Sequence, residues 1–193
     1  MEKIPTDIEK MVGGMLEPAY LYADFGEDMN TNPLEALARA VEKYHCRGAV
    51  VHSGDVYSIH LSGCKKIISV IDFPYGRGRT IGKKMEARRA YLVDTVDGAG
   101  LIGFDVVLNL WGLQTRGWQM IKDEIAAVKE GCPGKEIKVI CQMPFVWQYH
   151  KNYIPRLLQT LAECGVNVIK DWTTINNFSR PIKTDTETRV EYV

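Results

Sequence analysis

The sequence of 193 residues has little of several features that mark particular protein classes. No apolar run approaches the length of about 18 residues that suggests a membrane-spanning helix, and residues 1–14 lack the basic start and apolar stretch of a signal peptide. Lysine plus arginine (24) equals aspartate plus glutamate (24), so the bulk charge favours neither nucleic acid nor a membrane surface. We therefore expect a cytoplasmic protein that binds neither nucleic acid nor membranes.

Cysteine, histidine and glycine also lack the spacings that mark metal and cofactor sites. The five cysteines are scattered with no CxxC pair, which predicts reduced thiols. The four histidines show no ligand spacing, and only His52, at the end of a predicted strand, falls near the candidate site described below. The glycine loop Gly76–Gly82 has the spacing GxGxxxG instead of GxGxxG, so dinucleotide binding by an open sheet is a third, disfavoured hypothesis. We expect neither a metal nor an organic cofactor.

Short β-rich segments alternate with amphipathic helical segments along the whole chain. Several of the strand candidates are nearly continuous apolar runs, as is typical of parallel strands covered on both faces. The candidates are Tyr20–Asp24, Gly48–His52, Lys66–Asp72, Gly103–Asn109, Glu136–Gln142 and Val166–Asp171. This order predicts a parallel α/β sheet, either doubly wound or of the TIM-barrel type. A full barrel of eight units takes about 250 residues, so a barrel with these six strands is expected to be incomplete.

Three of these strands carry charged residues within otherwise apolar runs. Asp105 lies in the fourth strand on the same face as Val107 and Asn109, Lys138 in the fifth, and Lys170 at the carboxyl end of the sixth. Buried charges are costly unless they compensate one another, and a barrel points one face of every strand at a common axis. We therefore expect the three charged side chains to meet, although a solvated face of each strand would also explain them.

A lysine at the carboxyl end of a barrel strand is typical of Schiff-base chemistry with a carbonyl compound. At the ordinary lysine pKa of about 10.4 the amine is almost fully protonated at neutral pH, and partial desolvation beside a second cation favours the nucleophilic free amine. Lys138 would supply that cation, and Asp105 would relay protons through a water. The alternative is a buried ion pair without a reaction.

The segment Lys66–Thr174 resembles the deoxyribose-phosphate aldolase family of class I, Schiff-base aldolases. The similarity lies in four motifs that occur in the family's order. They are Phe73-Pro74-Tyr75-Gly76 (family Phe-Pro-x-Gly), residues 104–109 (Asp-Met-Val-Ile-Asn), residues 137–140 (Leu-Lys-Val-Ile) and residues 163–170 (Ala-Gly-Ala-Asp-Phe-Val-Lys).

The resemblance implies a TIM-barrel fold and a class I aldolase or related lyase, with Lys170 as the imine-forming residue, Asp105 as the acid/base relay and Lys138 as a supporting cation. The implied substrate is a small aldehyde or ketone, with or without a phosphate group, and no cofactor is needed because the protonated imine is the electron sink.

Five further residues are candidates for supporting roles. Asp24 would either add a carboxylate to the site or cap a helix or turn. Arg77 and Arg79 are candidates to steer an anion, and Trp111 and Trp147 to wall the pocket.

The sequence also departs from the family pattern, and these departures favour an alternative. Asp171-Trp172-Thr173-Thr174 stands where the family has Thr-Ser-Thr-Gly, and Gln142-Met143 where it has Glu-Thr. The family's second active-site lysine, in its seventh strand, has no counterpart before Val193. The chain is therefore expected to be a single barrel-type domain over 1–193 without strands seven and eight, either a part of a longer protein or completed as a homo-oligomer. A catalytically silent barrel that serves as a binding or assembly module is the alternative function.

Overall fold

The structure is a computed structural model that describes residues 6–22 and 32–173. Its strands form one six-stranded parallel sheet, hydrogen-bonded in the order β1-β2-β3-β4-β5-β6. The strands are β1 (Ala19–Tyr20), β2 (Ala49–His52), β3 (Ile67–Ile71), β4 (Leu101–Val107), β5 (Glu136–Ile140) and β6 (Val168–Lys170). Within the described residues, β1 pairs only with β2 and β6 only with β5, so the sheet is not closed into a full barrel.

Helices connect the strands and include several short ones. They are α1 (Thr6–Gly13), α2 (Pro33–Lys43), α3 (Val56–Leu61), α4 (Thr80–Asp97), α5 (Leu110–Gln114), α6 (Trp118–Gly131), α7 (Met143–His150) and α8 (Ile154–Glu163). Two 3₁₀ turns, Ser53–Asp55 and Lys151–Tyr153, precede α3 and α8. No helix in the described part of the chain combines the length and apolarity needed to cross a bilayer.

The chain divides into two compact units. The first takes Met1–Val70 and Ala87–Gly103, of which the structure describes all but 1–5 and 23–31. Its core includes β2, whose residues 49–51 are almost fully buried, and the face of α2 that carries Leu34, Leu37, Ala38 and Val41. Asn32 caps α2, since its side-chain oxygen accepts hydrogen bonds from the N–H groups of Leu34 (3.1 Å) and Glu35 (3.4 Å).

The second unit takes Ile71–Glu86 and Phe104–Val193, described as far as residue 173. It holds most of β4, all of β5 and β6, and the helices α5 to α8. The apolar faces of α6 and α8, including Ile121, Ile125, Val128, Leu157 and Leu161, are buried. All three predicted catalytic residues belong to this unit.

The six predicted strands are all present, but several of their boundaries differ. The fourth strand was predicted at Gly103–Asn109 and lies at Leu101–Val107, because Asn109 turns out of the sheet to cap α5. The fifth ends at Ile140 instead of Gln142, which adopts the left-handed conformation at φ 54°. The first was predicted to end at Asp24, which lies outside the described residues.

Candidate active site

Asp105, Lys138 and Lys170 lie together in the second unit. The Nζ of Lys170 donates a hydrogen bond of 2.5 Å to Oδ2 of Asp105. The Nζ of Lys138 lies 3.0 Å from the other carboxylate oxygen, Oδ1. One carboxylate is thus shared between two ammonium groups, one on each oxygen.

Strand register explains why these side chains meet. Residue Ile140 of β5 pairs with Lys170 of β6, and paired residues on neighbouring strands point to the same face. Lys138 is two residues before Ile140 and therefore shares that face. Asp105 projects from β4, the strand next to β5 in the sheet order. Three neighbouring strands thus contribute one charged group each.

The three side chains differ sharply in exposure. The side chains of Asp105 and Lys138 are 0% and 1% exposed, whereas that of Lys170 is 30% exposed. Of the two lysine side chains, only that of Lys170 is therefore accessible to a molecule in solvent. Because the carboxylate is removed from water, its attraction to each lysine is stronger than for a surface ion pair.

The segment that follows Lys170 is held by the residues that follow β5. The N–H of Met143 donates to the carbonyl of Asp171 (2.7 Å). The side chain of Gln142, 2% exposed, bonds both the backbone N–H (3.3 Å) and the hydroxyl of Thr173. It also donates to the carbonyl of Pro74 at 3.2 Å. Gln142 therefore ties the chain after β3, β5 and β6 together.

A second buried charge cluster, which sequence reasoning missed, lies around Lys83 of α4. Its Nζ, on a side chain 1% exposed, contacts Oε2 of Glu124 (2.9 Å) and Oδ2 of Asp72 (3.4 Å). It also donates to the carbonyls of Gly76 (3.1 Å) and Val107 (3.3 Å). A signal was present, since Glu124 interrupts the apolar stripe of α6 at a position that faces the core.

The placement of Asn109 on the Asp105 face is wrong. Its Nδ2 donates to Oε1 of Glu124 (2.7 Å), and its Oδ1 accepts from the N–H of Trp111 (3.0 Å). It therefore belongs to the Lys83 cluster and not to the lysine–carboxylate site. The side-chain oxygen of an asparagine satisfies the free N–H groups of a helix start, which here prevails over continuation of the strand.

The other candidate residues have these positions. Arg77 and Arg79 are exposed in the loop between β3 and α4. Trp111, in α5, is 63% exposed, and Trp147, in α7, is partly exposed. His52 lies in the first unit, with Nε2 3.4 Å from the carbonyl of Leu21.

Comparison with solved structures identifies the class of fold as that of barrel-type aldolases. A protein described as "QR15, an Aldolase" matches with a TM-score of 0.73 and 22% identity, over 95% of this chain and 74% of that chain. The deoxyribose phosphate aldolase from Aeropyrum pernix, described as tetrameric, matches with a TM-score of 0.66 and 21% identity, over 87% and 67% of the two chains. The predicted fold class, an incomplete TIM-barrel-type α/β sheet, is confirmed.

The sequence comparison finds a similarity to deoxyribose-phosphate aldolases. A deoxyribose-phosphate aldolase from Histophilus somni (strain 2336) is 30% identical over 111 residues, which are 58% of this chain and 46% of that relative. The match thus spans about half the length of the curated relative, and no protein family model matches the chain. The resemblance to the deoxyribose-phosphate aldolase family is therefore confirmed.

Proposed function

We propose that this chain is a class I aldolase-type lyase, in which Lys170 forms a Schiff base with a small aldehyde or ketone. The observation that carries the proposal is the partly exposed side chain of Lys170, whose amine contacts a carboxylate that is itself 0% exposed. The likeness to deoxyribose-phosphate aldolases supports the same chemistry. A phosphate group on the substrate is compatible with this proposal but not required by it.

The proposed reaction needs an amine and a group that moves protons. The free amine of Lys170 attacks the carbonyl carbon, and a carbon–nitrogen bond forms as the carbonyl oxygen takes up a proton. Loss of water from this carbinolamine gives the protonated imine. Asp105, in contact with the amine, would relay the protons of both steps and of the later carbon–carbon bond cleavage or formation, through a water.

Lys138 is proposed as a supporting cation. Its side chain is only 1% exposed, so a substrate has poor access to its amine. Two ammonium groups share one carboxylate, so loss of a proton from Lys170 leaves the cluster neutral. Lys138 would then hold the charge and orientation of Asp105 while Lys170 reacts.

Borohydride trapping tests this proposal. The protein is incubated with acetaldehyde or acetone, reduced with borohydride and digested, and the modified peptide is identified by mass spectrometry. We expect an ethyl or isopropyl adduct on Lys170 that is absent in Lys170→Ala and retained in Lys10→Ala, whose lysine lies on the exposed side of α1. An adduct spread equally over exposed lysines, or none on Lys170, would contradict the proposal.

The same experiment also tests the alternative function, in which the chain is a catalytically silent barrel that serves as a binding or assembly module. The segment Asp171-Trp172, which departs from the family pattern, favours that alternative. Failure of every short aldehyde and ketone to label a folded protein would support the silent module.

Assembly and location complete the proposal. We propose a single barrel-type domain that acts as a homo-oligomer in the cytoplasm, since a structurally similar aldolase is described as tetrameric and an open sheet edge is a site where chains associate. Light scattering during size-exclusion chromatography would give the molar mass, and a monomer at micromolar concentration would contradict the oligomer.

A further inference from the structure

Lys170 lies on a strand that is held on one side only. β6 has three residues and, within the described part of the chain, pairs with β5 alone. The strand is not deeply buried, since Ile169 is 42% exposed and both Val168 and Lys170 are partly exposed. The position of the proposed reactive amine therefore depends strongly on the contacts that hold the carboxyl end of β6.

Three consecutive residues after β5 make such contacts. The N–H of Cys141 donates to the carbonyl of Lys170 (2.9 Å), and the N–H of Met143 donates to the carbonyl of Asp171 (2.7 Å). These two hydrogen bonds join backbone to backbone, so they do not depend on the kind of side chain. Between them, Gln142 holds the chain after β6 with its side chain.

The side chain of Gln142 uses both ends of its amide. Its Oε1 accepts hydrogen bonds from the backbone N–H (3.3 Å) and the hydroxyl (3.2 Å) of Thr173. Its Nε2 donates to the hydroxyl oxygen of Thr173 (3.0 Å) and to the carbonyl of Pro74 in the loop after β3 (3.2 Å). An amide carries donors and an acceptor in one group, so a single side chain holds both segments.

This contact is buried on both sides. Gln142 is 2% exposed and Thr173 is 5% exposed, so water cannot readily replace a hydrogen bond that is lost there. The backbone of Gln142 has a φ of 54°, a conformation that a residue other than glycine keeps only where its surroundings hold it. Gln142 is therefore a fixed anchor for the segment that follows Lys170.

The departure from the family pattern at this position has a definite chemical effect. Gln142 replaces the Glu of the family pattern, whereas Thr173 keeps the Thr at the third position after the lysine. An ionised Glu could accept the hydrogen bonds from Thr173 but could not donate to the carbonyl of Pro74. The amide keeps the first contact and adds the second.

We infer that Gln142 is a positioning residue for Lys170, because its hydrogen bonds to Thr173 and Pro74 hold the carboxyl end of β6 and so keep the amine of Lys170 on the carboxylate of Asp105. This inference rests on the proposed function and adds a residue to it. A displacement of about 1 Å between reacting groups can lower a rate by about a hundredfold, so a loosened β6 should slow imine formation.

The test measures acetone trapping at Lys170 as a function of acetone concentration, with cyanoborohydride as the reductant and mass spectrometry of the labelled peptide. Gln142→Met keeps the length of the side chain and removes its hydrogen bonds. We expect the maximal trapping rate to fall about tenfold and the half-saturating acetone concentration to change less than about twofold, because the lost contacts hold the amine and not the ketone.

The same contact is tested from its other side. Thr173→Val keeps the shape of the side chain and removes the hydroxyl, so it should also lower the maximal rate, whereas Thr173→Ser keeps the hydroxyl and should retain most of the rate. The double variant Gln142→Met/Thr173→Val should be no slower than Gln142→Met, since both changes remove one shared contact. If Gln142→Met does not fold, the two Thr173 variants decide the question.

A stability control comes from the opposite edge of the sheet. Val128 is 0% exposed and lies near the end of α6, which leads to the amino end of β5, whereas Lys170 pairs with Ile140 at the carboxyl end of β5. Val128→Ala should lower the unfolding temperature and leave the trapping rate of the folded protein unchanged.

The outcomes separate this inference from the lyase proposal. Unchanged trapping in Gln142→Met or Thr173→Val, an equal loss in Val128→Ala, or a rate in Thr173→Ser as low as in Thr173→Val would overturn the positioning role and leave the lyase proposal intact. No labelling of Lys170 in the unsubstituted protein would overturn both.

Discussion

Two lysines of the second unit show how the surroundings of one residue decide its use. Lys83 is 1% exposed and contacts two carboxylates and two backbone carbonyls. Lys170 is 30% exposed and contacts one carboxylate that it shares with Lys138. Lys83 is surrounded by acceptors and closed to solvent, which suits a structural role, whereas the side chain of Lys170 is partly exposed, as the proposed reaction requires.

Replacing Lys83 by methionine is expected to destabilise the fold strongly. The change leaves the buried Glu124 and the partly exposed Asp72 without their cation, and breaking a buried ion pair from one side costs about 3–5 kcal/mol. Denaturant unfolding measures the loss. The matched control is the next residue, Lys84→Met, which breaks a pair with the largely exposed Glu130 and should cost less than about 1 kcal/mol. Equal losses in the two variants would contradict the assignment of Lys83 as a structural cation.

The thiols are expected to differ in reactivity according to burial. Burial raises the pKa of Cys141 and that of Cys132 from 9.0 to about 12, and Cys164 is partly exposed. Because the thiolate is the nucleophile, alkylation of the native protein under mildly alkaline conditions should modify Cys164 first. Peptide mass spectrometry gives the order, and early modification of Cys141 would contradict it.

The same two raised pKa values predict how stability varies with pH. In the unfolded chain the thiols of Cys132 and Cys141 lose their protons near the ordinary thiol pKa of 9.0. In the folded chain their pKa is raised to about 12, so they keep their protons to higher pH. Their contribution is therefore fully present below about pH 9 and is lost as pH rises towards 12. Serine variants of both cysteines should show a smaller fall in unfolding free energy over that range.

At the scale of elements, strained backbone conformations occur in the loops that follow β3 and β5. Asp72 after β3 and Gln142 after β5 both have positive φ, at 57° and 54°. Non-glycine residues in this conformation persist only where their surroundings hold them, and both side chains here are engaged in hydrogen bonds. Gly76, at φ 65°, lies in the same loop as Asp72.

Two glycines near the start of α4 are expected to respond oppositely to alanine. A Cβ on Gly76 would lie 2.3 Å from the carbonyl oxygen of Leu108, at a φ that disfavours side chains, so Gly76→Ala should destabilise by more than about 1 kcal/mol. Gly82 lies within the helix with no atom within 4 Å of that Cβ, and its replacement should stabilise by about 0.5–1 kcal/mol. Thermal unfolding followed by circular dichroism compares them, and a neutral Gly76→Ala would contradict the close approach.

At the scale of the whole molecule, the two compact units share elements of structure. The strands β3 and β4 and the helix α4 each contribute residues to both units. A strand or helix cannot easily unfold in one half only, since hydrogen bonding along it is cooperative. The single domain remains a prediction, and it implies that the two units unfold together.

The tryptophans make this prediction measurable. All four, Trp111, Trp118, Trp147 and Trp172, belong to the second unit, so their fluorescence reports on that unit alone, whereas far-ultraviolet circular dichroism reports on both. We expect coincident denaturant transitions by the two probes. A fluorescence transition separated from the dichroism transition would show that the units unfold independently.

The order of strands and helices was determined by the sequence alone, because apolar runs and periodicity are local signals that burial on two faces imposes on every parallel strand. The charged interruptions at Asp105, Lys138 and Lys170 were visible for the same reason. Only the tertiary structure decided where the strands end. The amide of the capping residue Asn109 is held by Glu124, and the left-handed Gln142 is held by Pro74 and Thr173, all of them distant in sequence. It also decided that Lys83 meets Glu124, 41 residues away, and that Lys170 alone of the three site residues reaches solvent. Exposure and long-range ion pairing depend on the packing of the whole chain, which no local pattern encodes.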